Sequence, residues 1–138
     1  AAFKEYVRRW AFKHPTAWDF FHTMENVAGE DLSWYWRSWV INTWKFDVSV
    51  KHVSAIKGDV KNGTGITIQL LEKMPLPVTV KITDVNGDVQ TIRLPVEIWQ
   101  RGDTWTFPVL TKAEVSEVVV DPENHLPDMN PANNSWKK

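Results

Sequence analysis

"WVINTWKFDVSV", residues 39–50, decides the fold, because the spacing of its apolar residues changes at Trp44. Before Trp44 apolar side chains recur at three- and four-residue steps, which is the face of a helix. After it, Phe46, Val48 and Val50 alternate with polar neighbours, which is the two-residue repeat of a half-buried strand. A chain that switches period once, and does not switch back, reads as a helical segment followed by a β domain.

Downstream, the two-residue repeat continues. His52 and Val53 break its phase, the mark of a bulge. "GITIQLLE" (65–72) sets Ile66, Ile68 and Leu70 on one side, and "PVTVKITD" (77–84) does the same with Val78, Val80 and Ile82. Asn86-Gly87 signals a hairpin, since both residues accept positive φ. The returning strand "VQTIRL" (89–94) is closed by Pro95, and "TWTFPV" (104–109) alternates Trp105, Phe107 and Val109 with threonine and proline. "VSEVVVDP" (115–122) is a last strand ended by Asp121-Pro122. Six or seven short antiparallel strands separated by Gly, Asn and Pro turns point to an immunoglobulin/fibronectin-like β-sandwich over 46–121. Residues 122–138 have no period and read as an irregular tail that covers an edge or trails into solvent.

Upstream, residues 1–45 read as about three helices. Phe3, Tyr6, Val7, Trp10 and Ala11 share one face, and His14-Pro15 ends that helix because a residue before proline is pushed from helical angles. Thr16 is an N-cap with Asp19 at the capping-box position. Gly29 is the left-handed stop of the second helix, and Asp31 caps the third. Leu32, Tyr35, Trp36, Trp39 and Val40 form that helix's main face, with Trp34 and Ile41 outside it. Residues 10–39 hold five of the nine tryptophans. A small helical segment cannot bury rings pointing in so many directions, so part of this surface is expected to pack on something else or to self-associate. The fold class is therefore α+β.

The bulk numbers exclude several functions. Over 138 residues the net charge is −1 at pH 7 with the two signs interspersed, which gives nucleic acid no basic face to hold. There is no cysteine, hence no disulfide and no thiol nucleophile. No apolar run is long enough to span a bilayer. His14, His22, His52 and His125 do not form the His-Glu-x-x-His pair that places two imidazoles on one helix face for zinc. The glycine-rich "NGTG" (62–65) precedes a strand and so lacks a helix N-terminus for phosphate. Met24-Glu25-Asn26 echoes an aminopeptidase substrate strand, but it lies in a helical pattern with no glycine ahead of it. No catalytic, cofactor or metal residue is assigned.

The run "YVRRWAFKHPTAWDFFHTMENVAGEDLSWYWRSWV" (6–40) resembles the segment just after the active-site region in the M1 family of gluzincin aminopeptidases. The matching positions are His14, Pro15, Thr16, Asp19, Phe20, Phe21, Ala28, Gly29, Asp31, Leu32, Tyr35, Trp36 and Trp39. The ending is similar to that of some bacterial members, through Asp121, Pro122, Asp128, Asn130, Asn133 and Asn134. The resemblance implies a larger zinc aminopeptidase whose zinc ligands, general base and transition-state tyrosine all lie upstream of Ala1. It implies that this chain is the non-catalytic C-terminal portion, packed on the upstream catalytic domain of the same polypeptide, and that the parent works in the periplasm or outside the cell. Read from the residues alone, a second function stays open, a sandwich that binds peptide, glycan or protein. Trp99 and Trp105, flanking Gly102-Asp103, discriminate: side by side in solvent they favour binding, and inside the core they make the sandwich a scaffold.

Overall fold

The computed structural model describes residues 1–138, and they form two compact units, Ala1–Thr43 and Trp44–Lys138.

The first unit is helical. Helix α1 spans Ala2–Trp10 and α2 spans Ala17–Ala28. Helix α3, Ser33–Trp36, runs directly into a π-helical turn, Arg37–Ile41. Thr16 caps α2, accepting from Asp19 N at 3.4 Å, while Asp19 Oδ2 accepts from Thr16 N at 2.7 Å. Gly29 ends α2 at φ 76°, and its amide donates to Glu25 O.

Two expectations need correction. Helix α1 stops at Trp10, well before His14-Pro15, because Ala11 is already extended and Phe12 turns left-handed at φ 61°. Asp31 is not the N-cap of α3; Leu32 holds that place, and the Asp31 carboxylate accepts from Ser33 N at 2.8 Å. The Asp31 side chain still satisfies an amide at the start of the helix, which is the physical job its position advertised.

The second unit is the β-sandwich. One sheet has the order β1 (Val48–Ala55), β2 (Thr64–Leu70), β5 (Thr104–Val109). The other has the order β4 (Val89–Leu94), β3 (Val78–Asp84), β6 (Val115–Val120), β7 (Ser135–Lys137). All strand pairs within the sheets are antiparallel. The fourth strand stays beside the third, whereas in constant-type immunoglobulin domains it joins the first sheet; the arrangement is the fibronectin-like one. The register of β1 on β2 shifts between Val50 and His52, where the sequence loses phase. Inward residues Val48, Ile66, Ile68 and Phe107 face Val78, Val80, Ile82, Val118 and Val120, and all are buried. The sheet-crossing segments add Met74, Leu76, Ile98 and Trp99 to the same core.

In the β3–β4 hairpin only Gly87 takes a positive φ, 86°, so the turn is not built on two such residues. Buried Asp84 organises it, accepting from Asn86 N at 2.9 Å and Asp88 N at 3.1 Å.

The C-terminal stretch is not an irregular tail. Strand β7 pairs with β6 through Trp136↔Val118. Ahead of it, Asp128 Oδ2 accepts from Val48 N at 3.1 Å and Asn133 Nδ2 donates to Asp47 Oδ1 at 2.9 Å. Asn134 is buried. These polar stitches have no periodicity, which is why the sequence gives them no strand signature.

Candidate functional site

Exposed aromatic surface, not a pocket, distinguishes this molecule, and it belongs to the helical unit. A ladder of rings runs through that unit. Phe3 leans on Tyr6, Tyr6 meets Phe20 edge-on at 5.1 Å, and Phe20 meets Trp36 at 5.9 Å. Trp36 stacks on Phe21 at 4.6 Å, and Trp18 packs edge-on against Phe21. Tyr35 touches Trp36 and stacks with Trp39 at 5.8 Å. Two indole N–H groups lock the ladder: Trp10 donates to Thr23 Oγ1 and Trp36 to Glu25 Oε1 at 3.1 Å.

Only one apolar side chain in this unit, Phe21, is buried. Phe3, Val7, Phe12, Trp18, Val27, Tyr35, Trp39, Val40 and Ile41 are all exposed. The π turn accounts for the last three. It carries small Ser38 inward, where its Oγ donates to Trp34 O at 2.7 Å, and leaves Trp39, Val40 and Ile41 outside. The expected main face of the third helix is therefore split: Trp36 and Leu32 are half-buried, and Tyr35, Trp39 and Val40 are on the surface. Sequence periodicity missed this because it assumed an α repeat throughout. Ser38, a small polar residue amid rings, was the available signal. On α1 the apolar arc covers two faces. Tyr6 and Trp10 turn to α2, while Phe3 and Val7 stand one turn apart on the outer side.

The electrostatics of the unit are local. Glu5 accepts from both Arg8 and Arg9 at 2.6 Å, and these hydrogen bonds hold its carboxyl down at about 2. The Thr16 amide and hydroxyl lower Asp19, and Ser33 lowers Asp31. None of the three is a desolvated acid or base of the kind catalysis uses.

The sandwich offers less. A groove of about 620 Å³ is lined by Thr79, Thr91, Arg93, Asp121, Pro122 and His125, among others. Its acids are committed: Asp121, at φ 50°, accepts from His125 N at 3.0 Å and Leu126 N at 2.8 Å, and Glu123 lies 3.2 Å from His125 Nδ1. Asp121 and Pro122 thus shape the turn after β6. Trp99 is buried in the core, with its indole donating to Leu76 O at 2.8 Å. Trp105 shares the inward side of β5 with Phe107, is half-buried, and keeps its indole N–H from solvent with no hydrogen-bond partner. The two tryptophans do not form a solvent platform.

The four histidines are exposed and dispersed over different elements, and no three His, Cys, Asp or Glu side chains converge to hold a metal ion. The zinc that the family resemblance places upstream thus has no ligand set among these residues. Glu25 and Asn26, of the Met-Glu-Asn run, hold Trp36 and the carbonyl of His22. No helix is long and apolar enough to cross a membrane.

No protein-family model matches the chain, and no match is found among curated proteins. The likeness of residues 6–40 to the gluzincin aminopeptidases accordingly rests on the sequence motifs alone.

Proposed function

We propose that this chain is a non-catalytic protein-binding module: the sandwich is the scaffold and the aromatic surface of the helical unit is the binding face. One observation carries this reading. The helical unit displays nine large apolar side chains to solvent and buries one. Contiguous apolar patches beyond a few hundred Å² mark contact surfaces, and tryptophan and tyrosine dominate interface energetics. The sandwich's own aromatics turn inward, so a carbohydrate or peptide platform on a sheet face lacks its rings.

A finer reading names the partner. The resemblance of residues 6–40 makes it the catalytic domain of a zinc aminopeptidase encoded upstream of Ala1 in the same polypeptide, with this chain bracing that domain and supplying no catalytic group. Zinc belongs to the partner in this reading. A His-Glu-x-x-His in the natural upstream sequence supports it, and an upstream sequence without one removes it.

Calorimetric titration of the chain with the polypeptide adjoining it upstream tests the binding face. Trp18→Asp and Trp39→Asp are expected to weaken binding at least about tenfold each, with the sandwich's thermal midpoint unchanged. Undiminished affinity in both variants would take the binding face off the helical unit.

A further inference from the structure

We infer that the helical unit is self-complementary, so that a second copy of this chain occupies the same face, with the basic α1 and Phe12 of each copy laid on the acidic α2–α3 region of the other. This rests on the protein-binding reading of that surface and adds its partner. Three observations converge on it.

The first is charge. Residues 1–13 carry Lys4, Arg8, Arg9 and Lys13 against Glu5, a formal +3. Residues 14–43 carry Arg37 against Asp19, Glu25, Glu30 and Asp31, a formal −3. The two halves cancel within one unit and are opposite between two. In a two-fold interface each patch meets its counterpart twice, so pairing α1 with α2–α3 is attractive at both crossings and incurs no net repulsion. Lys4, on α1, and Glu30, at the end of α2, are exposed and engaged in no ion pair within the chain.

The second is area. Phe3, Phe12, Trp18, Tyr35 and Trp39 are exposed by 38% or more, Phe12 completely. At about 150–250 Å² per aromatic side chain, those fractions present roughly 600 Å². Val7, Val27, Val40 and Ile41 extend it toward the roughly 800 Å² per partner of a standard interface.

The third is Phe12 itself. A bulky residue at φ 61° is strained. Its ring touches nothing that would offset the strain, since it is fully in solvent. Strain of about 1–3 kcal/mol at a displayed side chain is characteristic of sites where the return comes from a contact made elsewhere. The turn presents Phe12 as a knob just beyond the basic helix.

Sedimentation velocity from about 1 µM to about 1 mM, the range in which moderate interfaces dissociate, gives the test. The wild-type chain is expected to pass from monomer to dimer, and more weakly at high salt. Phe12→Gly removes the knob and relieves the left-handed strain. It is expected to raise the dimer dissociation constant at least about tenfold while the thermal midpoint stays level or rises, an outcome that a purely structural Phe12 would not produce. Lys4→Glu is expected to weaken the dimer, and adding Glu30→Lys in the same chain to restore it. A chain that stays monomeric at the highest concentration overturns the inference. If that monomer still binds its upstream neighbour in calorimetry, the protein-binding reading stands without it. A dimer indifferent to Phe12→Gly and to the charge pair overturns the proposed geometry.

Discussion

Residues 44–138 bury eighteen large apolar side chains, while residues 1–43 bury one, although the shorter stretch is the richer in tryptophan. The difference is geometric. Two sheets facing each other close a core from both sides, so every second residue on β2, β3 and β6 finds a partner. Three short helices that meet through edge-on and stacked rings enclose little, and a wide apolar arc on any one of them has a side left over. Aromatic content is therefore a poor guide to where a protein is self-sufficient. Enclosure decides it, and the sandwich encloses whereas the helical unit does not.

The sharpest way to break this contrast is by truncation in each region. Phe46→Ala empties a site 1% exposed and is expected to lower unfolding free energy by about 3–5 kcal/mol. Trp39→Ala should lower it by no more than about 0.5 kcal/mol, as for ordinary surface positions. Chemical denaturation followed by far-UV circular dichroism measures both, and equal losses would dissolve the distinction.

Polar architecture gives the next effect. In the sandwich, Asp121→Ala leaves the amides of His125 and Leu126 without acceptors. A loss of about 1–3 kcal/mol is expected, with Asp121→Asn recovering part of it. The denaturation midpoint of the β-signal reports it.

In the helical unit, Gly29→Ala forces a side chain onto φ 76°, though no atom lies within 4 Å of the added carbon. The expected loss is about 1 kcal/mol, purely conformational, and it should appear as faster hydrogen exchange across α2 and α3 with the strands unchanged. An unaltered exchange profile would mean that this turn does not hold the two helices together.

The smallest effect separates the regions by acid. Glu5, Asp19 and Asp31 have depressed carboxyl pKa values, and all three belong to the helical unit; Asp103, held by Gln69 and Thr104, is the sandwich's counterpart. A depressed carboxylate contributes stability above its unfolded pKa and loses it as pH falls through the folded value. For Glu5 that window runs from 4.5 down to about 2. Amide NMR signals of α1 and of the start of α2 should therefore broaden or shift across it before those of the buried strands do. Simultaneous loss in both units would contradict the assignment.

Much of this was legible in the residues. The change of period at Trp44 located the boundary between the two units, the phase break at His52 located the bulge, and Thr16 with Asp19 announced the capping box. Each is a local relation, fixed by neighbours a few positions apart. The helical aromatics that serve as the candidate binding face were also visible as a surplus, too many rings in too many directions.

Tertiary structure decided what depends on distant partners. It sent Trp99 into the core through a hydrogen bond to Leu76, turned Trp105 inward with it, and left Trp39 outside through a π turn that no periodicity encodes. It also made a strand of Ser135–Lys137, because Asp128 and Asn133 reach back to Val48 and Asp47 across more than half the chain. Periodicity records which face a residue shares with its neighbours. Whether that face is covered depends on the shape of what folds against it, and only the assembled sheets and helices supply that.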